Sequence, residues 1–91
     1  MGNAGKEVAK VLDEEYQGKK ILFVCGSGNN GGDGFAAALG MDPARVSVAL
    51  LCEPSKIHTD ESRFYYSLLE CDISQYSRDL IDGCDVCLLY T

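Results

Sequence analysis

Ile21-Leu22-Phe23-Val24-Cys25-Gly26-Ser27-Gly28-Asn29-Asn30-Gly31-Gly32-Asp33-Gly34-Phe35-Ala36-Ala37-Ala38-Leu39 is the stretch that decides how the rest of the chain is read. Ile21 to Cys25 is a short, unbroken apolar run, the pattern of a parallel strand buried on both faces. Gly26 to Gly34 holds five glycines and reads as a loop. Phe35 to Leu39 reads as a small-residue helix, with Phe35, Ala38 and Leu39 at i, i+3 and i+4 on one face. A strand that passes through a glycine-rich turn into a helix start is a site for an anion or a nucleotide. The first N–H groups of a helix have no internal partner, and glycine lets the backbone approach a ligand closely.

Upstream, Asn3 to Tyr16 reads as an amphipathic helix with Asn3 as its N-cap and Ala4, Val8, Val11 and Leu12 on one face. Gly18 is its stop, and Lys19 and Lys20 lie near the negative end of its dipole. Downstream, the central helix should stop at Gly40, and Asp42-Pro43 marks the break. Val46 to Cys52 is a second β-branched, apolar run, followed by a turn at Glu53 to Lys56. Thr59 or Asp60 can cap a helix that runs to about Glu70, with Phe64, Tyr65, Leu68 and Leu69 as its apolar face. Cys71 to Ser74 is a short strand or a link, Ser77 to Asp82 is a helical turn ended by Gly83, and Val86 to Tyr90 is the last strand. Such alternation predicts an α/β fold, a parallel sheet with helices on both faces. The chain is expected to be an incomplete domain, cut at both ends, with a functional loop beyond Thr91, where the last strand presents its carboxyl end.

The totals narrow the function classes. Ninety-one residues make at most one small domain. The net charge of −6, without a basic run, argues against nucleic acid and anionic membrane as partners. No apolar run approaches the roughly 20 residues of a membrane span, and MGNAGKEVAK lacks the apolar segment of a signal peptide. The odd set of Cys25, Cys52, Cys71, Cys84 and Cys87 reads as reduced thiols in a cytoplasmic protein. Cys84-x-x-Cys87 is a lone pair without the context of a zinc or redox motif.

The glycine loop excludes one ligand geometry and leaves two readings open. It has no G-x-x-x-x-G-K-[ST] pattern and no lysine for a phosphate. Gly26-x-Gly28-x-x-Gly31 matches a dinucleotide fingerprint, and Glu53 lies at the distance expected of a ribose-binding acid. Against plain pyrophosphate binding, Asp33 reads as crowding the helix start, where a carboxylate competes for the same donors. Asn29 and Asn30 offer amide donors and neutral oxygens of the kind K⁺ takes. The structural alternative is a turn in which asparagine takes the left-handed conformation and Asp33 caps the helix. His58, Tyr65 and Tyr66 read as surface or packing residues.

Val24-Cys25-Gly26-Ser27-Gly28-Asn29-Asn30-Gly31-Gly32-Asp33-Gly34 closely resembles the motif of the NAD(P)H-hydrate epimerases, the YjeF N-terminal domain family. Met1 to Ala9 resembles that family's opening helix, with Gly2 where an acid is usual. Pro54 to Glu61 resembles the segment after the second strand in archaeal-type members. The resemblance makes residues 1–91 the N-terminal part of such a domain, and implies a Rossmann-like three-layer α/β/α fold, usually a homodimer. It implies an isomerase that interconverts the R and S epimers of hydrated NADH and NADPH in nicotinamide nucleotide repair. An NAD(P)H-hydrate dehydratase, fused or separate, would complete the repair. By motif, Asn29, Asn30, Gly31, Gly32 and Asp33 would bind the hydrated dinucleotide, and Asn30 would also ligate K⁺. The catalytic aspartate is expected beyond Thr91, so the piece is expected to be inactive alone. Leu88-Leu89-Tyr90-Thr91 echoes a family strand end but carries Tyr90 at a glycine position. A related scaffold module without this chemistry, and a plain dinucleotide binder using Glu53, are the alternatives.

Overall fold

The structure is a computed structural model that describes residues 2–91, with side chains from residue 7 onward. Helix α1 spans Gly2–Glu15, β1 Ile21–Cys25, α2 Asn29–Leu39, β2 Val46–Leu50, α3 Asp60–Leu68, β3 Asp72–Gln75, α4 Arg78–Asp82 and β4 Val86–Tyr90. Pro54–Lys56 forms a single 3-10 turn between β2 and α3. The four strands are all parallel, in the order β3-β2-β1-β4. Strand β1 is therefore central, which is why Ile21 to Cys25 is apolar without alternation: all five residues are buried.

One face of the sheet carries the main core. Ile21, Phe23 and Cys25 of β1 and Val46, Val48 and Leu50 of β2 pack with Ala9 and Leu12 of α1 and Phe35, Ala37 and Ala38 of α2. Tyr65, Tyr66 and Leu69, in and just after α3, close the same layer, and the Phe35 and Tyr66 rings lie 5.6 Å apart. The other face is thinner. Leu22, Val24 and Ala49 pack there against Leu80 of α4 and Cys84, while Leu89 stays 68% exposed. The expected helices on both faces are present, but the second layer is a single five-residue helix.

Several local expectations shift. Helix α2 begins at Asn29, six residues before Phe35, so most of the predicted loop is helical. No residue other than glycine has positive φ among the described residues, which removes the left-handed asparagine turn. Gly18, at φ 74°, does end α1 in the left-handed region as expected. Asn3 lies inside α1 rather than at its cap, and Ala4 falls outside the described side chains. The buried stripe of α1 is Ala9, Leu12 and the half-buried Tyr16, leaving Val8 and Val11 exposed. Helix α3 is also turned from the expected face: Phe64 and Leu68 are exposed, and Ser62 is the residue buried completely. Strand β2 stops at Leu50 and α3 at Leu68, each two residues before the expected end. Of the two candidate caps, Thr59 is used, its hydroxyl accepting the Ser62 N–H at 3.1 Å.

Arg45 ties the end of α1 to the entry of β2. Its guanidinium donates to Asp13 Oδ1 at 2.6 Å and to the Tyr16 carbonyl at 2.6 Å. A planar fork with a carboxylate and a carbonyl to satisfy is a geometry lysine cannot reproduce. Arg45→Ala should lower stability by about 1–2 kcal/mol, and Arg45→Lys should recover less than half of it; urea denaturation measures both.

Candidate functional site

The strand order fixes where a ligand can sit. From β1 the chain moves outward through β2 to β3, then crosses back to place β4 on the other side of β1. The switch point therefore lies between β1 and β4, and ligands of open parallel sheets bind beyond the carboxyl ends of the strands at such a point. Gly26 to Gly28 leave β1 there, and β4 ends there at Tyr90 and Thr91. The two chain segments are joined directly. The Gly26 N–H donates to the Tyr90 carbonyl at 2.8 Å, and Asn30 Nδ2 donates to the Thr91 carbonyl at 2.8 Å.

Helix α2 presents an open N-terminus at this point. Its N-cap, Gly28, is extended at φ −103° and ψ −155° and has no side chain to cap with. The Gly32 N–H reaches back to the Gly28 carbonyl at 3.2 Å, the first bond of the helix. The N–H groups of Asn29, Asn30 and Gly31 precede that bond and have no intrahelical acceptor. They carry the positive end of the helix dipole toward the switch point.

The five residues of the sequence motif divide into two sets. Asn29 and Asn30 are exposed and Asp33 is half-buried. They lie four and three residues apart along α2, so their side chains share one helix face at the mouth of the site. Gly31 and Gly32 are buried and can offer a ligand only backbone. Asp33 is in the second turn and neither caps the helix nor crowds its first N–H groups, which corrects the sequence reading. Glu53 is exposed and begins the 3-10 turn, its carbonyl accepting the Lys56 N–H at 2.8 Å.

Two glycines are demanded by close approach. A Cβ on Gly31 would overlap the Gly26 carbonyl oxygen, and one on Gly34 would come within 2.6 Å of Cys25 Sγ and 2.9 Å of Tyr90 Cγ. Tyr90 borders the candidate site, and sequence reasoning placed it as the end of the last strand and as a departure from a glycine position. Its ring lies over Gly34 and 5.9 Å from Phe23. Burial pushes its phenol above the ordinary range, with Cys25 and Asp33 adding to the shift. Burial likewise pushes the Cys25 thiol up to about 12, with Cys71 contributing, so Cys25 is a packing residue and not a nucleophile.

A cavity of about 500 Å³ lies elsewhere. It lies at the amino ends of β1, β2 and β3 beside α4, lined by Lys20, Arg45, Asp72 and Leu80 among others. No cluster of three or more His, Cys, Asp or Glu residues able to hold a metal occurs among the described residues. Nor is any helix among them long and apolar enough to cross a membrane.

A central parallel sheet with an open helix N-terminus at its switch point defines an α/β protein of Rossmann-like type. The profile of the family described as YjeF-related protein N-terminus matches residues 1–84, and the chain belongs to that family. It is 45% identical over 73 residues to the NAD(P)H-hydrate epimerase of Cenarchaeum symbiosum, covering 77% of this chain and 34% of that protein. It is 44% identical over 75 residues to the NAD(P)H-hydrate epimerase of Nitrosopumilus maritimus, covering 77% and 35%. It is also 49% identical over 51 residues to the Bifunctional NAD(P)H-hydrate repair enzyme Nnr of Methanopyrus kandleri, covering 56% and 10%. The chain thus spans about a third or less of the length of these curated relatives.

Two outcomes follow from this geometry. Gly31→Ala should cost about 3 kcal/mol or more, because backbone must move, whereas Gly28→Ala, whose Cβ would meet only the His58 ring at 3.5 Å, should stay within about 1 kcal/mol; chemical denaturation of the pair checks this. Because the folded-state pKa of Cys25 is raised from 9.0 to about 12, the folded state resists losing a proton that the unfolded chain gives up. Its contribution is full below pH 9 and is lost as pH rises toward 12. The urea midpoint should fall across that window, and less steeply in Cys25→Ala.

Proposed function

We propose that this chain carries the substrate-binding glycine turn of an NAD(P)H-hydrate epimerase. The enzyme is an isomerase that interconverts the R and S epimers of hydrated NADH and NADPH so that the cofactors can be repaired. The observation that carries the reading is the unbroken Gly26-x-Gly28-Asn29-Asn30-Gly31-Gly32-Asp33-Gly34 run, set at the switch point with the α2 N-terminus uncapped. The names of the relatives in Cenarchaeum symbiosum and Nitrosopumilus maritimus support it. Asn29, Asn30, Gly31, Gly32 and Asp33 bind the hydrated dinucleotide: the α2 N–H groups take its anionic part, the amides orient its polar ring substituents, and Asp33 accepts from a hydroxyl.

The residues present suit K⁺ at Asn30. The Nδ2 group donates to the Thr91 carbonyl, which leaves Oδ1 as a neutral oxygen ligand. A monovalent cation bound there would offset negative charge on the dinucleotide. The relatives named as bifunctional repair enzymes support a companion activity, which we assign to a dehydratase, fused or separate. The exposed Val8 and Val11 of α1 support a homodimer, and a cytoplasmic location fits the free thiols. Epimerisation needs an acid/base group within hydrogen-bond reach of the substrate, and we assign that group outside residues 1–91.

Titration of the chain with hydrated NADPH, with and without K⁺, tests this. Binding should be tighter in K⁺, and Asn30→Ala should weaken it about tenfold and abolish the K⁺ dependence. An epimerisation assay of the same chain should show no turnover. The spacing of Gly26, Gly28 and Gly31 favours a second reading, a plain dinucleotide binder; it requires instead that Glu53→Ala weakens NADH binding and Asn30→Ala leaves it unchanged.

A further inference from the structure

We infer that Ser62 is the positioning residue of the glycine turn: from α3 it holds the carbonyl of Gly28 and so sets the direction of the open end of α2. The inference rests on the turn being the ligand site. Ser62 is 0% exposed and is the buried polar residue of the described core. Its hydroxyl donates to the Gly28 carbonyl oxygen at 3.0 Å. The same oxygen accepts the Gly32 N–H at 3.2 Å, so both of its lone pairs are used. Ser62 is itself fixed, because its own N–H is capped by the Thr59 hydroxyl at 3.1 Å.

A second bond runs alongside. The His58 N–H donates to the Ser27 carbonyl at 3.1 Å, and the His58 ring lies against Gly28. Two successive carbonyls of the turn, Ser27 and Gly28, are therefore gripped by the segment that enters α3. Arg63 braces that segment in turn, its Nε donating to the Ile57 carbonyl at 2.7 Å.

The role follows from what an N-cap ordinarily does. A Ser, Thr, Asp or Asn cap fixes a helix start by placing its own oxygen on the N2 or N3 N–H groups. That oxygen would occupy the donors a ligand needs. Gly28 leaves them free, but glycine is also the residue with the least conformational restraint. Holding its carbonyl from behind, through Ser62, restrains the cap and keeps the front of the helix open. A buried hydroxyl costs desolvation that alanine would avoid, and the Gly28 carbonyl is the acceptor that offsets it.

The test compares the chain with Ser62→Ala, and with Ser62→Thr, which keeps the donor. Amide hydrogen exchange at Gly32 is read against Phe23 in the central strand, and hydrated NADPH binding is titrated. Ser62→Ala should speed exchange at Gly32 by about three- to tenfold relative to Phe23, the size of one hydrogen bond. It should weaken hydrated NADPH by a similar factor, and Ser62→Thr should restore both. Should the alanine variant fail to fold, Ser62→Cys, a near-isostere with a weak donor, takes its place with the same expectation. Exchange that rises equally at Gly32 and Phe23 would show a packing residue and overturn the inference, as would a selective rise at Gly32 that leaves ligand affinity unchanged. If the unsubstituted chain does not bind hydrated NADPH, the ligand reading fails, and the Gly32 exchange still reports whether Ser62 holds the turn.

Discussion

The structure depends on the approach of one backbone to another where α2 leaves β1. Gly31 lies against the Gly26 carbonyl, and Gly34 against the Cys25 thiol and the Tyr90 ring. No side chain fits in either gap, so the axis of α2 is set by contact with the turn and the adjoining strand ends. That contact aims the helix N-terminus between β1 and β4 and draws the end of β4 onto the turn through the Gly26–Tyr90 and Asn30–Thr91 hydrogen bonds. It also separates two uses of glycine that a fingerprint merges. Gly31 and Gly34 are packing residues, and Gly28 is the one that leaves room in front of the helix.

What the sequence discloses is what local chemistry controls. The buried run of β1, the left-handed stop at Gly18, the caps at Gly40, Thr59 and Gly83, and the proline after β2 each follow from a few neighbouring residues. The start of α2 does not. Asn29 to Gly34 has poor helix propensity, at about 1 kcal/mol per glycine relative to alanine, and tertiary packing against β1, α1 and α3 offsets it. The faces of α1 and α3 were legible as amphipathic, but not their rotation. In α1 the small Ala9 is buried in place of the valines, and in α3 the serine is inside while Phe64 is out. Each orientation is accompanied by a contact more than 30 residues distant in sequence, Arg45 with Asp13 and Ser62 with Gly28.

Of the candidate site, the sequence offered a list of residues and not their arrangement. Asn29, Asn30 and Asp33 do come together, because helical spacing of three and four puts them on one face. The sequence objection to an anion, that a carboxylate crowds the helix start, lapses once Asp33 is in the second turn. The dipole end is then free for an anionic group while Asp33 and the amides flank it. Tyr90 and Ser62 carry no motif signal, since each acts through a partner in another element.

On the proposed reading, that arrangement would let a chain of net charge −6 receive an anionic ligand. The attraction would not come from lysine or arginine in the turn, which has none. It would come from peptide dipoles that are fixed in direction and cost nothing to reorient. Such a source works only while the helix end is held still and its N–H groups stay unoccupied. A side-chain cap would meet the first condition and break the second. A glycine cap restrained through its carbonyl meets both, and this places the burden of preorganisation on α3, an element that carries none of the motif.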